Sequence, residues 1–452
     1  RRSSDLDNKE RVSVEKTTNM GFWDQLATWI GANANNGTWY VGGVLAALGL
    51  VGALMVIFIS GPMAYLFLAL VGYIGFKTKS STMRLMRPVF GVKGSLGPSF
   101  INVIQFMGWA AVNTYIAAIS VSYLLAAIFG KQQFKPAGMK GIIIGVIVMG
   151  LLHVMSISLG QRSIRLIERI GIVLVILLVI WETSIVLREV PLTAIAKWQV
   201  PDHHILPFGK ALDIFAAFNL AWVTAGADFT RFASKKSAAT WAPFLGATIG
   251  VYWFAIVGTL TTIAAAVSES AFDPNASDPS TIAARLGLGI LALVVIMLTS
   301  TTANAVNLMA AGSALNNMLP RFKLTTSLWL VTLVATLMSF IPLFAGGFID
   351  TFIKFLDLIG MILGPEIAIL VVDFYFVRRR QYDVTAFDKR TIYWYTNGVN
   401  LSAYGVWVIS ILFYIGLQNV PFIVGTVGSN WLTMIFAGII YYLLSKKMTK
   451  ML

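Results

Sequence analysis

The sequence predicts an all-α polytopic membrane protein. Hydrophobic residues make up 57% of the 452 residues and charged residues only 12%, far from the composition of soluble domains. The apolar residues lie in runs of about 20, the length that a helix needs to cross a bilayer. Most of the 34 Lys and Arg residues fall in alternate connections between these runs, as the positive-inside rule requires.

Twelve transmembrane helices are predicted from these runs, and we number them spans 1 to 12. They lie near residues 24–48, 51–75, 97–129, 140–159, 164–187, 208–232, 239–267, 285–313, 325–343, 347–376, 399–418 and 424–445. The loops predicted to lie outside carry only Lys131, Lys135, Lys140, Arg188 and Lys197. Both termini are therefore expected in the cytoplasm, as tails 1–23 and 446–452, with the helices in the plasma or inner membrane.

Composition excludes several functional classes. The net charge of +14 comes mainly from Lys and Arg in the segments predicted to be cytoplasmic, so no nucleic-acid partner is expected. The chain has no cysteine, which rules out disulfides, thiolate metal sites and cysteine nucleophiles. The only histidines are His153, His203 and His204, too few and too scattered for a membrane enzyme. No repeated selectivity filter indicates a channel.

Span 1 contains a stretch that should not remain helical, TWIGANANNGTWYVGG at 28–43. Asn33, Asn35 and Asn36 lie there between Gly31 and Gly37. Irregular backbone at membrane depth is tolerated only inside protein or beside a wet cavity. Broken helices near the midplane are where secondary transporters bind substrate and ion, so a solute site is predicted near residues 31–36.

Span 3 places three polar or aromatic side chains on one helix face. Gln105, Trp109 and Asn113 are spaced four residues apart. An indole between two amides can stack on a flat ring and hydrogen-bond its edge. Alternatively, Trp109 packs between helices and the amides join neighbouring helices.

Span 6 is interrupted like span 1, by Asn219, Trp222, Thr224 and Gly226. Two interrupted helices five spans apart are typical of an inverted repeat of five helices. The first repeat is then 24–187 and the second 208–376, and the two helices in 399–445 are peripheral.

Span 8 carries oxygen ligands in TSTTANAVN, residues 299–307. Thr301 and Thr302 supply hydroxyls, and Asn304 and Asn307 supply amides. Hard cations take oxygen ligands, and carbonyls freed in span 1 could complete a sodium site. Alternatively, both threonines hydrogen-bond their own helix.

Span 10 carries three acidic residues, Asp357, Glu366 and Asp373, and acids within a membrane span favour a functional hypothesis. Asp373, close to an arginine cluster, is expected to be a capping or interfacial partner. Glu366 lies deeper and could be a proton carrier, a gate residue or an acid paired with another helix.

Five motifs in this order carry a family resemblance. They are GYIGFKTKSSTMRLMRPVFGVKGS after span 2, GWAAVN in span 3, GADFTRF ending span 6, TSTTANAVN in span 8 and GPEIAILVVDFYFVRRR closing span 10. Across essentially its whole length the chain resembles the nucleobase–cation symport-1 family of cytosine, hydantoin, purine and allantoin carriers. The resemblance implies a leucine-transporter-like fold of 5+5 inverted repeats plus two C-terminal helices, with alternating access.

The resemblance also implies site residues. It places substrate contacts at Asn35, Trp109, Asn113 and Asn307, and in span 6 at Phe218, Asn219 or Trp222. The polar faces of spans 3 and 8 add Gln105 and Asn304 to this substrate-binding set. Among these Trp109 stacks on the substrate, and a second aromatic from span 6 is Phe218 or Trp222. The sodium site would use carbonyls of Gly31, Ala34 and Leu298 and hydroxyls of Thr301 and Thr302. Asn304 departs from the cytosine permease pattern, which argues against cytosine itself.

Together these features predict a cation-coupled importer of a small planar nitrogen heterocycle. Its partners are that substrate, the lipid bilayer and a coupling cation, Na⁺ or alternatively H⁺; no other cofactor is expected. We expect a monomer. The alternative within carriers is an amino-acid permease on the same fold. Such a permease would bind zwitterions and would need no stacking tryptophan.

Overall fold

The computed structural model describes residues 20–158, 161–319 and 321–451. Residues 1–19 of the predicted N-terminal tail lie outside the described residues. Within these ranges the chain consists of helices joined by short connections. The long helices and the two halves of each broken helix are α1 (Phe22–Asn33), α2 (Asn36–Leu45), α3 (Gly49–Thr78), α4 (Leu96–Phe129), α5 (Lys140–Ser158), α6 (Gln161–Glu189), α7 (Phe208–Val223), α8 (Gly226–Thr230), α9 (Trp241–Glu269), α10 (Gly289–Met318), α11 (Leu324–Met338), α12 (Phe348–Val372), α13 (Leu401–Gln418) and α14 (Asn430–Met451).

The fold is all-helical, as predicted, and helices occupy each of the twelve predicted segments. In the described ranges nine helical segments are long and apolar enough to cross a membrane. One of these nine, Asn36–Thr78, combines part of span 1 with all of span 2. Only the 3₁₀ turn Ala46–Leu48 separates α2 from α3, whose first residue, Gly49, has φ 74°. The count of twelve therefore stays a prediction.

Both predicted helix breaks are present. Span 1 is divided into α1 and α2 by Ala34 (φ −83°, ψ 66°) and the extended Asn35 (φ −143°, ψ 171°). Span 6 is divided into α7 and the short α8 at Thr224 and Ala225. The glycine and asparagine content of these two segments was thus sufficient to locate both breaks.

Helix α9 holds the broken span 1 in place. It packs against both α1 and α2, and also against α3. Helix α7 packs against α3 and α12, and the long α4 packs against α10 and α5. The C-terminal pair α13 and α14 packs together and against α12.

Two glycines allow α2 and α9 to approach closely. A Cβ atom at Gly42 would overlap the carbonyl oxygen of Ala255, and one at Gly258 would overlap that of Trp39. Small residues at such crossings let transmembrane backbones come into contact. The position of α2 relative to α9 therefore depends on the absence of both side chains.

We predict that Gly42→Ala destabilises the protein by roughly 1–3 kcal/mol or more, because the added methyl meets main-chain atoms rather than a flexible side chain. The measurement is the apparent melting temperature of purified protein in detergent. The matched control is Gly405→Ala in α13, where a Cβ meets nothing within 4 Å. An unchanged melting temperature for Gly42→Ala would contradict the close approach.

Candidate functional site at the helix breaks

Asn35 completes the broken backbone of span 1 with its side chain. Its Nδ2 donates to the carbonyl of Ala32 at 2.7 Å, at the end of α1. Its Oδ1 accepts from the backbone N–H of Thr38 at 3.1 Å, in the first turn of α2. Helix ends leave carbonyl and N–H groups without intrahelical partners, and a bilayer offers no water to satisfy them. Asn35 therefore satisfies one such group on each side of the break.

Asn33 belongs to a buried network that joins the two broken helices. Its Nδ2 donates to the hydroxyl of Tyr65 at 2.8 Å and to the carbonyl of Ala247 at 3.1 Å. The Tyr65 hydroxyl lies 2.8 Å from Oδ1 of Asn219 on α7. Asn219, a predicted substrate contact, is thus placed beside α1 and α3, and Tyr65 connects the two asparagines.

Asn36 joins α2 to α10. Its Nδ2 lies 3.1 Å from the carbonyl oxygen of Ile296 and 2.8 Å from the hydroxyl oxygen of Thr299. Asn33 and Asn36, to which the sequence assigns no role, are thus interhelical links, and Asn35 is the asparagine that satisfies groups of the broken backbone.

Trp109 lies at the centre of an aromatic cluster. Its ring meets that of Phe218 edge to face, with centroids 5.4 Å apart and planes at 87°. Phe352 and Phe355 of α12 contact the same indole at 6.1 and 5.2 Å. Of the two span 6 aromatics left open by the sequence, Phe218 is therefore the one beside Trp109.

Trp222 lies one turn further along α7 and packs elsewhere. Its ring centroid is 6.2 Å from that of Trp29 on α1 and 6.3 Å from that of Phe106 on α4. These contacts place Trp222 among core aromatics that join α1, α4 and α7.

Asn113 directs its amide oxygen toward α2 and α7. Its Nδ2 donates to the carbonyl of Trp109 at 3.1 Å, and among the described residues its buried Oδ1 has no partner. A Cβ atom at Gly37 would lie 4.0 Å from that oxygen and 4.0 Å from Cε2 of Phe218. The first turn of α2, Asn113 and Phe218 therefore meet at one place, next to the break of span 1.

Gln105 connects Trp109 to the second break. It accepts from Nε1 of Trp109 at 3.3 Å and donates to the hydroxyl of Thr224 at 2.7 Å. Thr224 follows the last residue of α7. Gln105 thus fixes the indole and the end of α7 relative to each other.

The two predicted amides of α10 differ in their surroundings. Asn304 donates to the carbonyl of Ala110 and the hydroxyl of Thr114, both at 3.0 Å, and its Nδ2 is 3.3 Å from Nε2 of His153. It therefore ties α10 to α4 and α5, and His153 has the interhelical role expected of a lone histidine. Asn307 is also buried, one turn further along α10.

Two of the predicted sodium ligands, Gly31 and Thr302, lie against α6. A Cβ atom at Gly31 would lie 2.9 Å from Ile172, and one at Gly171 would overlap the side chain of Thr302. The Thr301 hydroxyl donates to the carbonyl of Met297 at 3.0 Å, and that of Thr302 to the carbonyl of Thr299 at 2.8 Å. The oxygen chemistry suits Na⁺, although both hydroxyls bond their own helix here, as the alternative interpretation expected.

Leu298 lies on α10, like Thr301 and Thr302, and its side chain is 46% exposed. Ala34 lies in the break itself, where the last carbonyls of α1 lack the partners that another helical turn would supply. Gly31 and Thr302 therefore contact neighbouring residues of α6, Ile172 and Gly171. Ala34 lies in the irregular segment that follows α1.

A second aromatic cluster, which the sequence did not reveal, lies beyond Trp109. Tyr40 of α2 stacks on Phe348 at 5.0 Å and contacts Phe352 at 4.8 Å. Tyr115 of α4 contacts Phe348 at 4.5 Å. The spacing of Phe348, Phe352 and Phe355 on one face of α12 was the available signal. This cluster connects α2, α4 and α12 on the side that the topology predicts to be outside.

A short helix in the loop between α9 and α10 packs against α4 and α2. It runs from Pro279 to Arg285, and Asp278 caps it by accepting from the N–H of Thr281 at 2.9 Å. Burial raises the pKa of the Asp278 carboxyl to about 6. The hydroxyl of Ser280 lies 2.6 Å from that of Ser120 on α4. The loop is therefore fixed to α4 near the second aromatic cluster.

The sequence matches a family model described as permease for cytosine/purines, uracil, thiamine, allantoin over residues 12–440. The chain belongs to this family. It is a multi-pass membrane transporter rather than an enzyme.

Relatives span nearly the whole chain. YxlA of Bacillus subtilis (strain 168), provisionally named a purine-cytosine permease, is 26% identical and the match covers 94% of this chain and 93% of the relative. The allantoin permease of the same organism is 23% identical over 98% and 93%. The hydantoin permease of Microbacterium maritypicum is 21% identical over 76% and 70%.

Solved structures show the same fold. The inward-facing conformation of Mhp1 has a TM-score of 0.78 at 18% identity, covering 96% of this chain and 92% of Mhp1. A closed conformation of Mhp1, titled as a nucleobase-cation-symport-1 family transporter with bromovinylhydantoin bound, has a TM-score of 0.74 at 19% identity, covering 95% and 92%. The resemblance inferred from the sequence is thereby confirmed.

We predict that Asn35→Ala lowers the free energy of unfolding by about 1–2 kcal/mol without any ligand, because both ends of the break lose a capping bond. The measurement is the apparent melting temperature in detergent. Asn35→Asp keeps the oxygen that accepts from Thr38 and should retain part of the stability. A variant with wild-type stability and lost substrate binding would instead assign Asn35 to the substrate.

Proposed function

We propose that this permease is a secondary active transporter that imports a small planar nitrogen heterocycle by cation symport. The observation that carries the proposal is that Gly37, in the first turn after the break of span 1, meets Asn113 and Phe218, with Trp109 against Phe218. Discontinuous helices expose main-chain groups and oriented helix ends to a substrate near the midplane. Carriage of a solute requires such a site and no catalytic residue.

The chemistry of the site favours a flat, neutral ring. Trp109 and Phe218 offer aromatic faces, and the buried oxygen of Asn113 accepts a hydrogen bond from a ring edge. Asn35, Gln105, Asn304 and Asn307 are further amides of the proposed site. The relatives are named as purine-cytosine, allantoin and hydantoin permeases, which are carriers of heterocycles.

Reciprocal packing supports two inverted repeats, 24–187 and 208–376. A two-fold exchange would place the first helix of each repeat on the second helix of the other. Helices α1 and α2 pack on α9, and α7 packs on α3, which is this reciprocal pair. The third helices, α4 and α10, pack on each other. We further propose twelve spans, with 399–445 as the added pair and both termini in the cytoplasm.

Alternating access would act on the two aromatic clusters. Tyr40, Tyr115 and Phe348 close the predicted outer side of the site in this conformation. Opening that side requires α12 to separate its aromatic residues from α2 and α4. Ion and substrate would favour the same conformation because both bind at the break of span 1.

Sodium is our proposed coupling ion, held by Gly31, Ala34, Leu298, Thr301 and Thr302. A proton is the alternative, and one observation favours it. The hydroxyls of Thr301 and Thr302 already bond their own helix, and the buried carboxyls of Glu182 and Glu366 have no hydrogen-bond partner among the described residues. Such acids can carry protons through a membrane protein.

The deciding experiment reconstitutes the full chain in liposomes and measures counterflow of labelled uracil, hypoxanthine, allantoin and hydantoin, with and without a sodium gradient. Exchange of one heterocycle supports the proposal. Exchange of a labelled amino acid with none of the heterocycles would replace it with an amino-acid permease.

We predict that Trp109→Ala and Phe218→Ala each raise the dissociation constant of the transported heterocycle at least about tenfold, since each removes a stacking surface worth about 0.5–1.5 kcal/mol in addition to its buried area. Binding is measured calorimetrically on folded protein. Trp222→Phe is the control, because Trp222 packs against Trp29 and Phe106. A larger effect from Trp222→Phe than from Phe218→Ala would reverse the assignment.

We predict that the double variant Thr301→Ala, Thr302→Ala abolishes stimulation of substrate binding by sodium while leaving sodium-free binding within about twofold, because coupling arises from the ion site alone. The measurement is substrate affinity in sodium and in potassium chloride. If wild-type binding never responds to sodium but uptake follows an imposed pH gradient, the proton is the coupling ion.

A further inference from the structure

A polar junction ties the C-terminal helix pair to the helices that carry the aromatic residues around Trp109. It consists of Lys210 and Asp213 on α7, Asp357 on α12 and Asn430 on α14. None of these residues belongs to the site described above. Two of the helices in the junction also carry the aromatic residues around Trp109. Phe218 lies on α7, and Phe352 and Phe355 lie on α12.

Asp213 caps α14 from a different helix. Its two carboxylate oxygens accept from the backbone N–H groups of Ser429 and Asn430, each at 2.8 Å. These N–H groups lie at the start of α14, where a helix has unpaired donors and a positive dipole end. The side chain of Asp213 is 3% exposed, so water does not compete for these bonds.

The loop before α14 is shaped to receive Asp213. A Cβ atom at Gly428, whose φ is 72°, would lie 2.6 Å from Oδ1 of Asp213. A Cβ atom at Gly209 would lie 2.5 Å from the backbone nitrogen of Gly428. Two glycines thus bring the first turn of α7 directly against the loop, and a larger residue at either position would separate them.

The junction also fixes α12. Lys210 forms an ion pair with Asp357. A Cβ atom at Gly360 would lie 3.1 Å from Cβ of Ala217 on α7 and 3.5 Å from Oδ1 of Asn430 on α14. Helices α7, α12 and α14 therefore contact one another at a single level, and the polar bonds determine their rotation and axial position.

We propose that Asp213 is a positioning residue: by anchoring α7 to the start of α14, it holds Phe218 and the α12 aromatic residues in register with Trp109. The C-terminal helix pair, which lies outside both proposed repeats, then acts as a brace for the substrate site. The predicted effect on substrate affinity rests on the proposed function. The predicted effect on the position of α7 does not.

The test compares Asp213→Asn with Asn400→Ala in the full chain. Asn400 caps α13, in the same helix pair, and its Nδ2 donates to the carbonyl of Val89. Asn400→Ala loses a buried cap, and Asp213→Asn loses the charge and one of the two acceptor oxygens of its cap, so both variants should melt earlier than wild type. Only Asp213→Asn should raise the dissociation constant of the heterocycle found by counterflow, by about tenfold, because it alone loses charge-assisted bonds to α14. Equal affinities in the two variants would overturn the proposal.

A second measurement needs no substrate. The chain has no cysteine, so spin labels can be attached to cysteines introduced at the exposed positions Lys131, after α4, and His203, before α7. Asp213→Asn should shift or broaden the distance distribution between these labels, and Asn400→Ala should leave it as in wild type. An unchanged distribution in Asp213→Asn would overturn the brace. If no heterocycle binds the wild type, the proposed function fails while this measurement still decides the geometry.

Should Asp213→Asn fail to fold, Lys210→Met provides the same comparison at the other bond of the junction, because it removes the ion pair to Asp357 and leaves the cap of α14 intact. The brace predicts a shifted label distance for Lys210→Met as well. A wild-type distance in that variant would overturn the brace.

Discussion

The paired bonds of Asn35 make an interrupted helix possible in a membrane protein, because an unsatisfied main-chain group costs several kcal/mol in an apolar medium. One amide reaches back to Ala32 and forward to Thr38, so neither side of the break needs water for these two groups. Asn33 and Asn36 then attach the two half-helices to different neighbours: Asn33 bonds α3 and α9, and through Tyr65 it reaches α7, whereas Asn36 bonds α10. Three asparagines within four residues therefore hold a non-helical segment inside the bundle.

The rest of the site depends on that segment. The first turn of α2 begins where Asn35 allows it, and Gly37 in that turn meets Asn113 and Phe218. Gln105 ties the indole of Trp109 to Thr224 at the second break. The junction at Asp213 extends the same organisation outward, since α7 is anchored at its first turn by a loop and at its last turn by Gln105. Helix α7 is thus fixed at both ends, and the aromatic residue in its middle is the one that contacts Trp109.

Sequence reasoning located the helices, both breaks and the family, because glycine and asparagine in an apolar run have few structural explanations and the motifs occur in a specific order. It could not choose between Phe218 and Trp222, which differ by one helical turn, since only the rotation of α7 against α4 decides which ring faces Trp109. It assigned no role to Asn33 and Asn36, because their partners Tyr65, Ala247 and Ile296 lie far away in the sequence. The role of Tyr65 was not predicted, because the sequence of a regular span does not show which residues its tyrosine contacts.

The edge-to-face contact between Trp109 and Phe218 has an energetic consequence for any ligand. A flat ring inserted between two parallel rings needs their planes about 7 Å apart, two van der Waals contacts, whereas these rings meet at right angles with centroids 5.4 Å apart. Without a ligand, the rings of Trp109 and Phe218 therefore pack against each other. A heterocycle that stacked between the two rings would first have to replace that contact, so its measured affinity would be its intrinsic affinity reduced by the fraction of molecules in which the rings have already parted. Selectivity among rings of similar polarity would then depend on how well each one compensates for the lost contact.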